Sequence, residues 1–422
     1  MSRPDHRRRP GPQRGRGTRS RAPRGRSRVG ERYDAEIGPV AHGGHCVARV
    51  AVAGEERPRV VFVRHGIPGE RVVLEITEGS DGDRFWRGDV VEVREASPHR
   101  VVAPCPVAGP GLCGGCDFQH VDLAHQRTLK TAVVAEQLQR LAGVTWDGEV
   151  QPVAGDLPEQ LAGLRWRTRV RYVALPGGGR GMRRHRSHDV VPVDECLIAH
   201  PDAREPHPGT TTEHVAVAGP GAGAVEGAEE HAFAVATDGF WQVHPGAPGT
   251  LVATVLELLQ PQAGDTALDL YGGVGLFARY LADALGPDGA VLSVEGDATA
   301  SDHAVDNLRA APGRVRAVRG DVATVLADGD ATLPALAAPD LVVLDPPREG
   351  AGRAVVDELV RRAPRAVAYV ACDPAALGRD VGLFRAAGWE LVEVRGFDLF
   401  PMTQHVECVA LLRPSVAALP VV

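Results

Sequence analysis

From about residue 236 the chain repeats one unit, an apolar run followed by a turn and then an amphipathic stretch. "TALDLYGGVGLFARYLADAL" reads as strand, glycine turn and helix, and "AVLSVEGDATASDHAVDNLRAA" repeats the order. "VRAVRGDVATVLA", "PDLVVLDPPREGAGRAVVDELV" and "AVAYVACDPAALGRDVGLFRAAG" continue it, and "WELVEVRGFDLFPMTQHVECVALLRP" closes with a strand pair. Strands alternating with helices bury their apolar faces as a mainly parallel sheet covered on both sides. The pattern predicts an α/β fold over 236–422, a doubly wound Rossmann-like domain with an antiparallel strand near its end. Ligands of such sheets bind at the carboxyl ends of the strands, so the residues at those ends come first.

The first strand runs into "DLYGGVGLF", where Gly273 permits a tight turn and close backbone approach to a ligand. The second ends in Glu295, a carboxylate able to accept hydrogen bonds from both hydroxyls of a ribose. The third is followed by Asp321, placed to hold an adenine amino group. The first turn has no arginine or lysine and no complete G-x-G-x-x-G, which favours S-adenosylmethionine, a cofactor without phosphate, over a dinucleotide. In "VVLDPPREG" two prolines stiffen the loop and fix Asp345 at the sheet edge. The next strand stops at Cys372, followed by "DPAALGRD". A buried structural cysteine is the plain reading of one thiol. At a helix N-terminus beside the cofactor crevice, however, the dipole favours a thiolate, the setting of a nucleophile. In "FPMTQHVECVALL", His405 and Glu407 share a face of the strand while Cys408 points to the core. A glutamate in so apolar a strand is costly unless used, and Glu407 is a candidate base.

The N-terminal half is different. Residues 1–28 carry eleven arginines against one acid, Asp5, and almost no apolar side chains, so they are expected to be a disordered basic tail with affinity for phosphate backbones. Residues 29–96 are short strands punctuated by turns, expected as a small OB-like barrel. Within it "VFVRHGIPGERV" resembles the core of a TRAM domain, an RNA-binding barrel, with Phe62, Phe85 and Trp86 either filling the core or available to stack on bases. Residues 97–235 are expected to form a small central α+β domain, whose helix at about 122–142 is free to pack on the catalytic domain. Its "LRWRTRVRYV" sets Arg165, Arg167, Arg169 and Arg171 on one face if it is a strand, either a solvated face or a phosphate track. Residues 201–230 read as a Pro/Gly/Ala-rich connection. Cys105, Cys113, Cys116 and Cys196 in this central part can bind zinc or an iron–sulfur cluster. Seven cysteines in a long chain fit a reducing cytoplasm, and neither a secretory signal nor a membrane-spanning run is present.

"FWQVH", "DLYGGVGLF", "LDPPREG", "YVACDPAALGRD" and "FPMTQHVE" together resemble the class I RNA 5-methyluridine methyltransferases, the uracil-C5 enzymes of tRNA and 23S rRNA. The resemblance implies cofactor contacts at Gln242, Tyr271, Glu295 and Asp345, a nucleophile at Cys372 and a base at Glu407. It also implies a [4Fe–4S] cluster, in preference to zinc, on Cys105, Cys113, Cys116 and Cys196, although the first spacer is two residues longer than is usual in the family. The chain departs from the family's usual residues at His244, Gly272, Asp373, Ala376 and Met402. The expected activity is transfer of a methyl group from S-adenosylmethionine to carbon 5 of a uridine through a covalent cysteine adduct. A TRAM-like barrel with a cluster points to 23S rRNA first and to uridine 54 of tRNA second. Alternatives from other classes are an amino-nitrogen or small-molecule methyltransferase and a non-catalytic RNA-binding iron–sulfur protein. A cytoplasmic monomer is expected, with RNA as partner and no membrane association.

Overall fold

The computed structural model describes residues 25–153, 163–217, 229–328 and 337–415. Residues 1–24 of the basic tail and 218–228 of the connection lie outside the described residues. Five strands, β1 (Arg32–Ala41), β2 (His45–Val50), β3 (Arg59–Arg64), β4 (Arg71–Glu78) and β5 (Trp86–Glu95), close into a barrel in the order β1-β2-β3-β5-β4. Alternation along the strands sends Ile37, Val61, Val63, Leu74, Ile76 and Trp86 inward to a dry core. Arg28 ties the barrel's lead-in to its wall through ion pairs with Glu31 and Asp81.

Helix α1 (Leu123–Ala142) follows the cysteine-rich loop. Asp122 caps it by accepting from the His125 amide at 2.8 Å, and Gly143 ends it in the left-handed region with φ 64°. Its buried positions, Gln126, Leu129, Lys130, Val134, Gln137, Leu138 and Ala142, recur at helical spacing and make one stripe. Its later part, Val134, Leu138 and Ala142, packs along α7 (Pro374–Ala386) of the C-terminal domain, Leu129 packs with Ile67, Phe118 and Val121, and Arg385 of α7 donates to the Ala142 carbonyl. Strand β6 (Val150–Pro152) then pairs in parallel with the edge of the catalytic sheet. The rest of the central segment is small sheets: β7 (Arg167–Arg169), β8 (Val173–Ala174), β9 (Arg180–Arg183), β10 (Val190–Pro192) and β11 (Ala199–Arg204), with a hairpin of β12 (Thr210–Val217) and β13 (Glu229–Ala236).

The arginine stripe does not form. Arg165 is in the left-handed region, φ 58°, so the period of two breaks there, and its guanidinium pairs with Glu195 at 2.9 Å. Arg169 is turned onto the carbonyls of Thr237 and Gly239. Arg167 donates to the Arg169 carbonyl at 3.0 Å, so three of the four side chains are committed to internal contacts that sequence spacing does not reveal.

The C-terminal domain runs α2 (Ala247–Leu259), β14 (Thr266–Leu270), α3 (Leu276–Leu285), β15 (Ala290–Glu295), α4 (Ala298–Asn307), β16 (Arg314–Arg319), α5 (Val322–Asp328), β17 (Leu341–Leu344), α6 (Gly352–Arg362), β18 (Ala366–Ala371), α7 (Pro374–Ala386), β19 (Trp389–Asp398) and β20 (Glu407–Pro414). Its eight-stranded sheet has the order β16-β15-β14-β17-β18-β20-β19-β6. Strands β14 to β18 are parallel, and β20 is antiparallel to both its neighbours, as the sequence pattern predicts. β17 and β18 are buried along their whole length, which is why they read as unbroken apolar runs. The order reverses between β15 and β17 around β14, the position where such sheets open a crevice at their carboxyl ends.

Candidate active site

A cavity of about 970 Å³ opens at that crevice. Gln242, Tyr271, Gly273, Glu295, Asp321, Asp345, Cys372 and Glu407 all line it. The first turn is held tightly. Tyr271 adopts the left-handed region at φ 64°, and a Cβ on Gly272 would stand 2.2 Å from Ser293 Oγ and 2.7 Å from Asp269 Oδ2. Only glycine fits position 272 without moving that pair. The Gly273 amide donates to Glu295 Oε2 at 2.9 Å and the Asp297 amide to Oε1 at 2.6 Å, which fixes the carboxylate at the end of β15. Asp321 accepts from the Thr324 amide at 2.9 Å at the start of α5, and its hydrogen bonds to Thr324 hold it below the usual carboxylate range.

Acid crowds the floor of the cavity and the space behind it. Asp269 is fully buried and burial pushes its carboxyl up to about 7. Its Oδ1 has no hydrogen-bond partner among the described residues. Asp345 is also raised to about 7, by burial and by its neighbours Asp269 and Glu295. Acids held neutral by burial and mutual repulsion ionise when a cation arrives beside them. The cavity thus suits a ligand with a sugar at Glu295 and a positively charged group near Asp345, and S-adenosylmethionine carries both a ribose and a sulfonium.

The other half of the cavity carries Cys372 and Glu407. The expectation that the helix dipole lowers the Cys372 thiol is not met: burial, with Glu407 and Asp345 close by, pushes it up to about 12, and only Arg348 opposes them. Burial is the largest cause, and acids contributed by strands distant in sequence add to it. Glu407, 3% exposed, is pushed well above the ordinary carboxylate range by burial and by Asp345. His405 lines the same wall with its imidazole 3.4 Å from the Arg348 guanidinium, and burial lowers it to about 4, so it is neutral. Asp373 caps α7 through the Ala376 amide at 2.8 Å.

Groups that sequence reasoning missed hold the approach to Glu407. Lys130, the single lysine of the chain, reaches from α1 to Asp398 Oδ1 at 2.5 Å and to the Phe400 carbonyl at 3.0 Å. The Gln126 side chain accepts from the Met402 amide at 2.9 Å. Asp117, one residue past Cys116, donates its amide to the Met402 carbonyl at 2.9 Å and accepts from the Gln404 amide at 3.0 Å. Arg64 of the barrel pairs with the same Asp117 at 3.3 Å. Only the oddity of one lysine among 46 arginines hinted at any of these in the sequence.

Cys105, Cys113, Cys116 and Cys196 come near enough to one another for their charges to interact. Burial raises the Cys113 and Cys196 thiols and pushes Cys116 up to about 12. The Gln119 amide donates to Cys116 Sγ at 3.2 Å and the Gly115 amide to Cys113 Sγ at 3.4 Å. Among the described residues no three His, Cys, Asp or Glu side chains are grouped closely enough to hold a metal ion. The donor chemistry suits a soft metal centre, since buried thiols deprotonate readily only against a metal's charge. No helix among the described residues is long and apolar enough to cross a membrane.

Residues 330–415 match the family described as tRNA (Uracil-5-)-methyltransferase, and residues 26–93 match the TRAM domain. A protein of Streptomyces avermitilis described as an uncharacterized RNA methyltransferase is 46% identical, the match covering 93% of this chain and 100% of that one. The 23S rRNA (uracil(1939)-C(5))-methyltransferase of Chromohalobacter salexigens is 30% identical, with 88% of this chain and 87% of that one covered. The crystal structure of the Pyrococcus abyssi tRNA (uracil-54, C5)-methyltransferase with S-adenosyl-L-homocysteine superposes with a TM-score of 0.60 at 19% identity, over 90% of this chain and 99% of that one.

Proposed function

The chain belongs to the uracil-5 RNA methyltransferase family and is an S-adenosylmethionine-dependent RNA methyltransferase acting on uridine, and on that basis we propose that it methylates carbon 5 through a covalent adduct with Cys372, with 23S rRNA as its substrate. The observation that carries the mechanism is the shared wall of one cavity, where Cys372 and Glu407 face the acid-lined floor. S-adenosylmethionine supplies a methyl group on a positively charged sulfur. Gln242, Tyr271, Gly273, Glu295, Asp321 and Asp345 are the residues proposed to hold it. The uridine leaves its stack to enter.

Carbon 5 of uracil is a weak nucleophile. Cys372, as thiolate, forms a bond to carbon 6 and the ring electrons move to the carbonyl oxygen as an enolate. The enolate then drives carbon 5 onto the methyl carbon, whose old bonding pair returns to sulfur. Glu407 takes the proton from carbon 5, the bond between Cys372 and carbon 6 breaks, and the double bond is restored. A cation at Asp345 favours the thiolate and the carboxylate together, because both are held neutral by burial and by neighbouring acids. Cys105, Cys113, Cys116 and Cys196 are proposed to hold a [4Fe–4S] cluster, and no step of the reaction passes through it. Iron and sulfide analysis of anaerobically purified protein should give about four of each per chain.

Mapping of 5-methyluridine by mass spectrometry in rRNA and tRNA from a deletion strain tests the reading. Loss from 23S rRNA supports it, loss at uridine 54 of tRNA replaces the substrate, and loss at no position refutes the activity assigned. The tRNA reading stays second because the one rRNA enzyme above is 30% identical while the tRNA enzyme is 19%.

A further inference from the structure

The barrel touches both loops that carry the chemistry. His42, on the turn between β1 and β2, donates through Nε2 to Asp373 Oδ2 at 2.9 Å. Asp373 is the residue after Cys372, and its other oxygen caps α7 at 2.8 Å. Two residues beyond His42, Gly44 closes on the second loop: with φ 76°, a Cβ there would stand 2.7 Å from Gln404 Cβ and 3.2 Å from Asp117 Cγ. The turn 42–44 is thus wedged between the nucleophile's loop and the loop that leads into Glu407.

The charges around Cys372 give this contact a consequence. Glu407 faces it from β20, Asp345 and Arg348 from the loop after β17, and Asp373 from its own loop. Three of these four are acids, and each acid opposes formation of a thiolate. His42 bonds to Asp373, and with the Ala376 amide it keeps that carboxyl low in spite of burial.

We propose that His42 is a positioning residue of the active site: the barrel reaches the nucleophile through the His42–Asp373 hydrogen bond, which fixes the Asp373 carboxylate on the helix cap and draws its charge away from Cys372. The proposal rests on Cys372 as nucleophile. A barrel displaced by incoming RNA, or seated by it, would then change the reactivity of the thiol directly.

The test uses the full-length protein with His42→Ala, Asp373→Asn and the double variant. The rate of alkylation of Cys372 by iodoacetamide is followed against pH by peptide mass spectrometry, beside kcat and KM for an in vitro transcribed rRNA fragment. His42→Ala should slow alkylation roughly three- to tenfold at a pH below the thiol's midpoint, and lower kcat with KM unchanged. Adding Asp373→Asn should restore the alkylation profile to within about twofold, because the charge is gone while the amide oxygen still caps α7. An unchanged profile in His42→Ala, or no recovery in the double variant, overturns the proposal. Should His42→Ala not fold, Asp373→Asn alone decides: its Cys372 must alkylate faster than wild type at the same pH, and an equal or slower rate is the contrary result. Cys372→Ala, run in parallel, separates the two readings. If it still methylates, the nucleophile assignment fails whatever His42 does. If it is inactive and the His42→Ala profile does not move, only the role of His42 fails.

Discussion

Affinity for S-adenosylmethionine should rise with pH and level off near neutrality. Asp345 stands at about 7 in the free cavity because of burial and the nearby Asp269 and Glu295. Below that pH it is neutral and has little attraction for a sulfonium. Above it the carboxylate is already formed. Binding the cation favours the ionised form, so below about 7 each bound cofactor releases close to one proton and Kd falls about tenfold per pH unit. Asp269, also raised to about 7, can add a second proton and steepen the slope. At pH 6 the cofactor should bind at least about tenfold more weakly than at pH 8, a difference of about 1.4 kcal/mol. Calorimetry in two buffers of different ionisation enthalpy counts the released protons directly. Asp345→Asn should remove about one proton from that count and flatten the dependence accordingly. An affinity that is level between pH 5.5 and 7.5, with no proton released, would show that these carboxyls do not meet the cation and would refute the reasoning.

Glu407→Gln should lose roughly 10²- to 10⁴-fold in turnover and accumulate a covalent RNA–protein species on denaturing gels, which Cys372→Ala cannot form. Absence of that species with active RNA would sink the assignment of the base. Lys130 is fully buried and Asp398 is 2% exposed, so Lys130→Met leaves a buried carboxylate unpaired and should cost about 3–5 kcal/mol in chemical denaturation. Lys130→Met with Asp398→Leu should recover most of it, and an additive double variant would contradict the coupling. His45, His120 and His185 are each lowered to about 4 by burial, with Arg64 or Arg100 the largest charge against them. Their folded values lie below the unfolded value of about 6.5, so the unfolded chain takes up protons first and stability is present above about pH 6.5. It should fall as pH drops from there towards 4, and a melting point of the protein independent of pH across that window would contradict the burial of these rings.

The legible part of this protein lay in its short-range patterns. Strand–turn–helix periodicity placed Glu295, Asp321, Asp345 and Cys372 at successive strand ends, and the sheet brings them to one cavity. What the sequence hid is long-range. Nothing at Asp373 signals His42, some 331 positions earlier, and nothing at Asp398 signals Lys130. The four-arginine stripe misled because a period of two presumes a strand, and Arg165 turns into the left-handed region. The raised Cys372 thiol is not legible because the helix dipole is visible in sequence, whereas the thiol is buried, and Glu407 and Asp345 come to face it, only once the sheet has formed.

The pairing of β6 with β19 has a consequence for how the chain is made. Val150 sits opposite Gly396, and the apolar stripe of α1 is covered by α7, which begins at Pro374. During synthesis from the ribosome, α1 and β6 emerge some two hundred residues before the partners that cover them. Val134 and Leu138, which pack with Leu377, Val381 and Phe384, must stay in water, or in the care of a chaperone, until α7 appears. The covering of α1 is therefore a late event, like a band fastened at the buckle, and a ribosome stalled before α7 would release the barrel trailing an unsheltered helix.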